Sequence, residues 1–180
     1  LSYGGAVKTN ADTLLPRPRS RALQGERSEL DSLAPPARDL ADQRYLQFDG
    51  TVNLQSKRGC AFQCTYCDYP DLEGRRVRSR NPEAFAEELA SLAQDPRVTH
   101  AFVVDSVFNV PKSHARACCE AIKRRGSPLP WVCYGSPVAF DNDLVAAMAE
   151  ARCVGVEIGS DSGTEEVLMR LRKPFRRADI

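Results

Sequence analysis

The chain of 180 residues has no run of 18 or more apolar residues, so none of it is expected to span a membrane. It does not open with a basic region followed by an apolar stretch, so no secretory signal is read in residues 1–10. An initiator Met is missing, from which we expect further sequence upstream. Excess charge of either sign is also missing. The formal net charge of +1 argues neither for nor against a polyanionic partner. Histidine is scarce, with only His100 and His114, and residues 1–50 hold no cysteine. Seven cysteines follow, an odd number, and three of them fall within eight residues. That pattern suits a disulfide framework poorly and a metal site in a reducing cytoplasm well, so a cytoplasmic protein is expected.

What is present suffices for one domain with a real core: 42% of residues are hydrophobic and 27% charged. Residues 1–48 carry Pro16, Pro18, Pro35 and Pro36 with scattered Arg and no sustained apolar period, and read as a proline-rich linker or wrapping segment. From residue 49 strand and helix patterns alternate. A first strand is expected over 51–57, with Val52 and Leu54 on one face. Asn81-Pro82-Glu83 reads as a helix start, with Phe85, Leu89 and Leu92 as its apolar stripe. Residues 98–105 form a second strand, whose run Ala101-Phe102-Val103-Val104 suggests burial on both faces. A helix over 111–125 stops at Gly126. A short strand at 131–134, a helix capped by Asp141, a strand at 154–159 and a helix opened by a Ser162/Glu165 capping box complete the series.

Four β-α units in a row imply parallel strands, in an open doubly wound sheet or in part of a barrel. In either architecture ligands bind at the carboxyl ends of the strands. The cysteine loop, Asp105-Ser106 and the segment 157–161 each follow a strand and so share that rim. In the loop, Cys60, Cys64 and Cys67 can reach three irons of a cubane and leave the fourth to a non-protein ligand. Structural zinc is the plainer alternative, and would need a fourth ligand that neither histidine is well placed to give. A redox thiol pair fits the spacing less well.

Cys-x3-Cys-x2-Cys with Tyr66 just before its last cysteine resembles the signature of the radical S-adenosylmethionine (SAM) superfamily. The resemblance covers about residues 50–177. It implies that residues 49–180 are the N-terminal part of a radical SAM core, about four strands of a six-stranded, TIM-like partial (β/α)6 barrel, and hence a fragment. It further implies a 4Fe-4S cluster on Cys60, Cys64 and Cys67, with the amino and carboxylate groups of SAM on the open iron. Reductive cleavage of SAM would then give a 5′-deoxyadenosyl radical for C–H activation. By position, Tyr66 would lie near the SAM adenine and Asp105 with Ser106 at its amino group. Glu157, Ser160 and Ser162, with Asp161 between them, would lie at the ribose hydroxyls. Each also has a plainer reading: a core tyrosine, a strand-end turn, a helix cap.

The strings Cys67-Asp68-Tyr69-Pro70, Asp105-Ser106-Val107-Phe108-Asn109 and Glu157-Ile158-Gly159-Ser160-Asp161-Ser162 resemble the branch that carries a cobalamin-binding domain upstream. No Asp-x-His-x-x-Gly cobalamin signature occurs here, so any cobalamin would be bound by a domain outside this chain. The implied activity is cobalamin-dependent methyl transfer or another C–H activation. A small-molecule substrate and an electron donor such as flavodoxin or ferredoxin are its implied partners. Radical SAM tRNA methylthiotransferases share the loop, but the cysteine-free residues 1–50 count against that reading, and a nucleic-acid partner is not expected. A zinc-binding scaffold is the non-enzymatic alternative. No catalytic side chain is assigned. Cys118, Cys119, Cys133 and Cys153 read as small core hydrophobes. His114 reads as an exposed or rim residue, and Arg75, Arg76, Arg78 and Arg80 as solvated surface or an anion site.

Overall fold

The computed structural model describes residues 29–40 and 44–180. Most of the expected linker, with Pro16 and Pro18, lies outside the described residues. Pro35 and Pro36 lie between two 3-10 turns, Leu30–Ser32 and Arg38–Leu40. The Leu30 side chain is buried, and the Asp31 carboxylate accepts from the backbone N–H of Asn81 at 2.8 Å. A short helix α1 (Arg44–Phe48) leads into the sheet.

Strands β1 (Thr51–Leu54), β4 (His100–Val103), β5 (Trp131–Gly135) and β6 (Cys153–Ile158) form one parallel sheet in the order β1-β4-β5-β6. Helices α3 (Pro82–Leu92), α4 (Lys112–Arg125) and α5 (Asn142–Glu150) connect them, and α6 (Glu165–Arg170) follows β6. The expected α/β alternation is therefore present. Its helix boundaries are set by local chemistry. The Asn81 side chain accepts from Glu83 N–H at 2.9 Å, and that of Asp141 accepts from Leu144 N–H at 2.7 Å. Gly126 ends α4 with φ of 69°, a left-handed position that costs glycine no Cβ clash.

Four expectations are corrected. The first strand stops at Leu54; Lys57–Arg58 (β2) instead pairs antiparallel with Arg78–Ser79 (β3), across a loop that contains the short helix α2 (Tyr69–Leu72). The Ser162/Glu165 capping box does not form, because α6 starts two residues later with Thr164 as its cap, and Ser162 Oγ accepts from Thr164 N–H at 3.0 Å. Strand β4 is buried on one face only. Ala101 and Val103 are fully buried, with Leu54, Trp131 and Cys133, against Phe85 and Leu89 of α3, Ile122 of α4 and Leu144 of α5. The opposite face is half-buried, with Phe102 packed on Tyr134 at 4.8 Å between ring centroids. His114 is buried rather than exposed, because α4 turns it under the rim.

The candidate site on the sheet rim

Four strand ends build one cavity. The chain leaving β1 reaches the cysteine loop, the end of β4 gives Ser106 and Val107, that of β5 gives Tyr134 to Ser136, and that of β6 gives Glu157 and Gly159. The β4 and β5 ends are tied together: Phe108 N–H donates to Tyr134 O at 2.7 Å, and Asn109 exchanges two amide bonds with the Ser136 backbone at 2.7 and 2.9 Å. Into this cavity project Cys60, Cys64 and Cys67, all half-buried, with Tyr66, Ser106 and Glu157. Phe62, Tyr69 and Phe175 supply apolar wall.

The loop itself is held from two sides. Gly59 has φ of 97°, and a Cβ there would fall 2.3 Å from Arg76 O, so only glycine allows the β3 arm to pass so close. Cys60 N–H donates to Gly74 O at 3.0 Å, and Gly59 N–H to Glu73 Oε2 at 3.0 Å. On the other side Thr65 N–H donates to Leu171 O, at the end of α6, at 3.0 Å. Burial pushes the Cys60 and Cys64 thiols up, while the ammonium of Lys173 works the other way on Cys64. Among the described residues no three His, Cys, Asp or Glu side chains are grouped to hold a single metal ion.

Below the rim lies a buried ion pair. Lys57 Nζ donates to Asp105 Oδ2 at 2.9 Å and to Phe108 O at 2.9 Å, and both side chains are essentially inaccessible to solvent. Asp105 also accepts from Ser56 N–H at 2.8 Å, Lys57 N–H at 3.1 Å and the Ser56 hydroxyl. Lys57 further lies 5.3 Å from the Phe108 ring centroid. His114 Nε2 is 3.3 Å from Ser56 Oγ, and burial lowers its pKa, which favours the neutral ring. The Asp105 carboxylate already takes four donors from inside the protein, and it anchors β2 three residues before Cys60.

Of the residues singled out from sequence, the fold brings Cys60, Cys64, Cys67, Tyr66, Ser106 and Glu157 to one cavity. It leaves Ser160 and Ser162 outside the cavity lining. The arginine cluster divides: Arg78 Nη2 donates to Glu73 O and Arg80 Nη1 to Gln55 O and Glu88, whereas Arg75 and Arg76 are exposed. Three participants carried no sequence signal. Glu73 fixes Gly59, Lys57 completes the buried pair, and Lys173 reaches the cavity from beyond α6. No local spacing marks any of them, since each acts through a partner distant in sequence.

A family model described as the radical SAM superfamily matches residues 54–179. The chain is 32% identical over 168 residues to a tryptophan 2-C-methyltransferase of Streptomyces laurentii, covering 88% of this chain and 25% of that protein. It is 27% identical over 181 residues to a tRNA-2-methylthio-N(6)-dimethylallyladenosine synthase of Thermus thermophilus, 97% of this chain and 37% of that protein. Among solved structures it resembles the radical S-adenosylmethionine methyltransferase TsrM of Kitasatospora setae, with a TM-score of 0.68 and 29% identity. That match covers 76% of this chain and 28% of TsrM. TsrM has been seen with tryptophan and a SAM analog, and with cobalamin and a [4Fe-4S] cluster. The chain thus spans between 25% and 37% of the length of these relatives.

Proposed function

The chain belongs to the radical SAM superfamily, and from that premise we propose that it is the cluster-bearing part of an enzyme for SAM-dependent C–H activation. Cys60, Cys64 and Cys67 hold a 4Fe-4S cluster. Within the whole protein the reaction is methyl transfer to a small molecule, with cobalamin carried by a segment outside this chain. The observation that carries the reading is the convergence of these three thiols with Ser106, Glu157 and Tyr66 on one cavity at the carboxyl ends of parallel strands.

The donor set suits the group. Three thiols lining one cavity match a cubane, in which each thiolate takes its own iron. A mononuclear zinc site instead needs its ligands gathered on one ion. When bound, the reduced cluster supplies the electron that cleaves SAM. The protein's own part is to bind, orient and exclude water. Ser106 offers a hydroxyl at the β4 end and Glu157 an exposed carboxylate at the β6 end, suited to the amino group and to ribose hydroxyls respectively. Tyr66, Phe62 and Phe175 give apolar surface for a base and limit solvent entry. The Lys57–Asp105 pair holds the start of the loop in register with the β4 end. An electron donor such as flavodoxin or ferredoxin and a cytoplasmic setting complete the proposal; no helix of the described residues is long and apolar enough to cross a membrane.

Anaerobic reconstitution with iron and sulfide tests the reading. The expected result is about four irons per chain, broad visible absorption from thiolate-bound iron, and a cubane EPR signal on reduction. That signal should be perturbed by SAM. Stoichiometric zinc without that absorption would sink it.

A further inference from the structure

Beyond α6 the chain returns to the cysteine loop and places a cation there. Lys173 Nζ donates to Tyr66 Oη at 2.7 Å and to Gly159 O at 2.8 Å, and it is ion-paired with Asp161. The Tyr66 hydroxyl in turn donates to Asp161 Oδ2 at 2.6 Å. The ammonium lies 5.1 Å from the Tyr66 ring centroid and 5.5 Å from that of Phe175. Two left-handed residues, Asp161 at φ 58° and Arg172 at φ 52°, make the turns that bring Asp161 and Lys173 together. Lys173 lines the same cavity as the three cysteines.

The two charges of this pair are not equivalent. The Lys173 side chain is 5% exposed, the Asp161 side chain 36% exposed. Water screens a partly exposed carboxylate far more than a buried ammonium, so the field reaching the cavity is that of the cation, reduced but not cancelled by Asp161. Burial opposes the charge on Lys173, but the bonds to Asp161 and Tyr66 outweigh it and its pKa ends raised. The residue therefore stays cationic at any physiological pH.

Resting on the cluster reading above, we propose that Lys173 is a positioning residue that raises the reduction potential of a cluster on Cys60, Cys64 and Cys67, with Asp161 and Tyr66 fixing its distance and moderating its field. One-electron reduction takes a cubane core from the 2+ to the 1+ state, adding one unit of negative charge with no bond made or broken; the electron comes from a low-potential one-electron reductant such as dithionite. A fixed cation nearby stabilises the more negative state, and net charge around a cluster is one of the protein's levers on its potential. The bond from Thr65 N–H to Leu171 O, at 3.0 Å, ties the segment that carries Lys173 to the backbone of the cysteine loop.

The test is a redox titration, followed by EPR, of the reconstituted full chain and three variants. Lys173→Met leaves the carboxylate alone beside the cavity and should lower the midpoint potential. Asp161→Asn leaves the ammonium uncompensated and should raise it. Lys173→Arg keeps the charge and should titrate close to the parent. Shifts of opposite sign with iron content unchanged are the expected result, because a purely structural role would move both variants the same way. Shifts of the same sign, no shift, or loss of cluster from both Lys173→Met and Asp161→Asn would overturn the assignment to Lys173 alone. A parent chain that assembles no cubane would overturn the cluster reading itself, which keeps the two failures apart.

Discussion

The seven cysteines divide into two populations that share a side chain and little else. Cys60, Cys64 and Cys67 lie half-buried in the irregular loop on the sheet rim. That loop is held by bonds to Glu73 and Gly74 on one side and to the end of α6 on the other. Cys118, Cys119 and Cys133 are fully buried in the layer between sheet and helices, and Cys153 is half-buried at the start of β6. In the second set the thiol packs as a small hydrophobe within regular elements, where its neighbours are Ile122, Trp131 and Leu144. In the first set the backbone forgoes helix and strand so that three sulfurs can face one space. The contrast teaches that regular structure buries cysteine for packing and irregular structure spends backbone order to present it.

The sharpest way to break that contrast is to delete thiols one at a time. Ala in place of Cys60, Cys64 or Cys67 should abolish the cubane EPR signal, while Cys118→Ala or Cys133→Ala should keep it at the cost of some stability. If Cys133→Ala loses the signal as fully as Cys64→Ala, the division is wrong. Asp105 lies at the boundary between the two regions and should affect both. Asp105→Ala strands the Lys57 ammonium in the interior, and leaving one member of a buried pair costs about 3–5 kcal/mol. Chemical denaturation should register that loss, and the iron bound per chain should fall with it, since β2 loses its anchor next to Cys60.

Thiol chemistry offers a finer comparison. Burial pushes the Cys118 and Cys119 thiols up to about 12, so at pH 8 only on the order of one in ten thousand is thiolate. In cluster-free protein at that pH, iodoacetamide followed by mass spectrometry should modify the three rim cysteines first and reach Cys118 and Cys119 only after unfolding. Early labelling of Cys118 would show that the helical layer opens more readily than the loop.

The smallest effect belongs to a residue of the helical layer with no role at the rim. The Asp141 carboxyl is held at about 2, first by its bond from Lys112 and then by Leu144 N–H. Its folded pKa is below its unfolded one, so its contribution is complete above the ordinary carboxylate range. That contribution is lost as pH falls toward about 2, because the unfolded chain takes up the proton first. Asp141→Asn should therefore flatten the acid limb of a stability-versus-pH curve and leave the cluster signal intact. An unchanged acid limb would count against the pairing.

The residues themselves announced the α/β alternation and the compact cysteine loop on its rim. Apolar stripes such as Phe85, Leu89 and Leu92, the caps Asn81 and Asp141, and Gly126 are short-range signals that act within a turn or two of where they are written. The spacing of Cys60, Cys64 and Cys67 is likewise local, and so was legible. The face on which β4 is buried was not, because Ala101 and Phe102 differ in environment only through the helices laid across one side of the sheet. Nor could order alone tell that Asp105 turns inward while its neighbour Ser106 faces the cavity. That outcome depends on Ser56 and Lys57, 49 and 48 residues earlier, supplying its donors. The Tyr66 bonds to Asp161 and Lys173 span 95 and 107 residues. A hydrogen bond needs its partners within about 3 Å in the right orientation, and only the folded sheet, by setting the ends of β1, β4 and β6 on one rim, brings such distant groups that close.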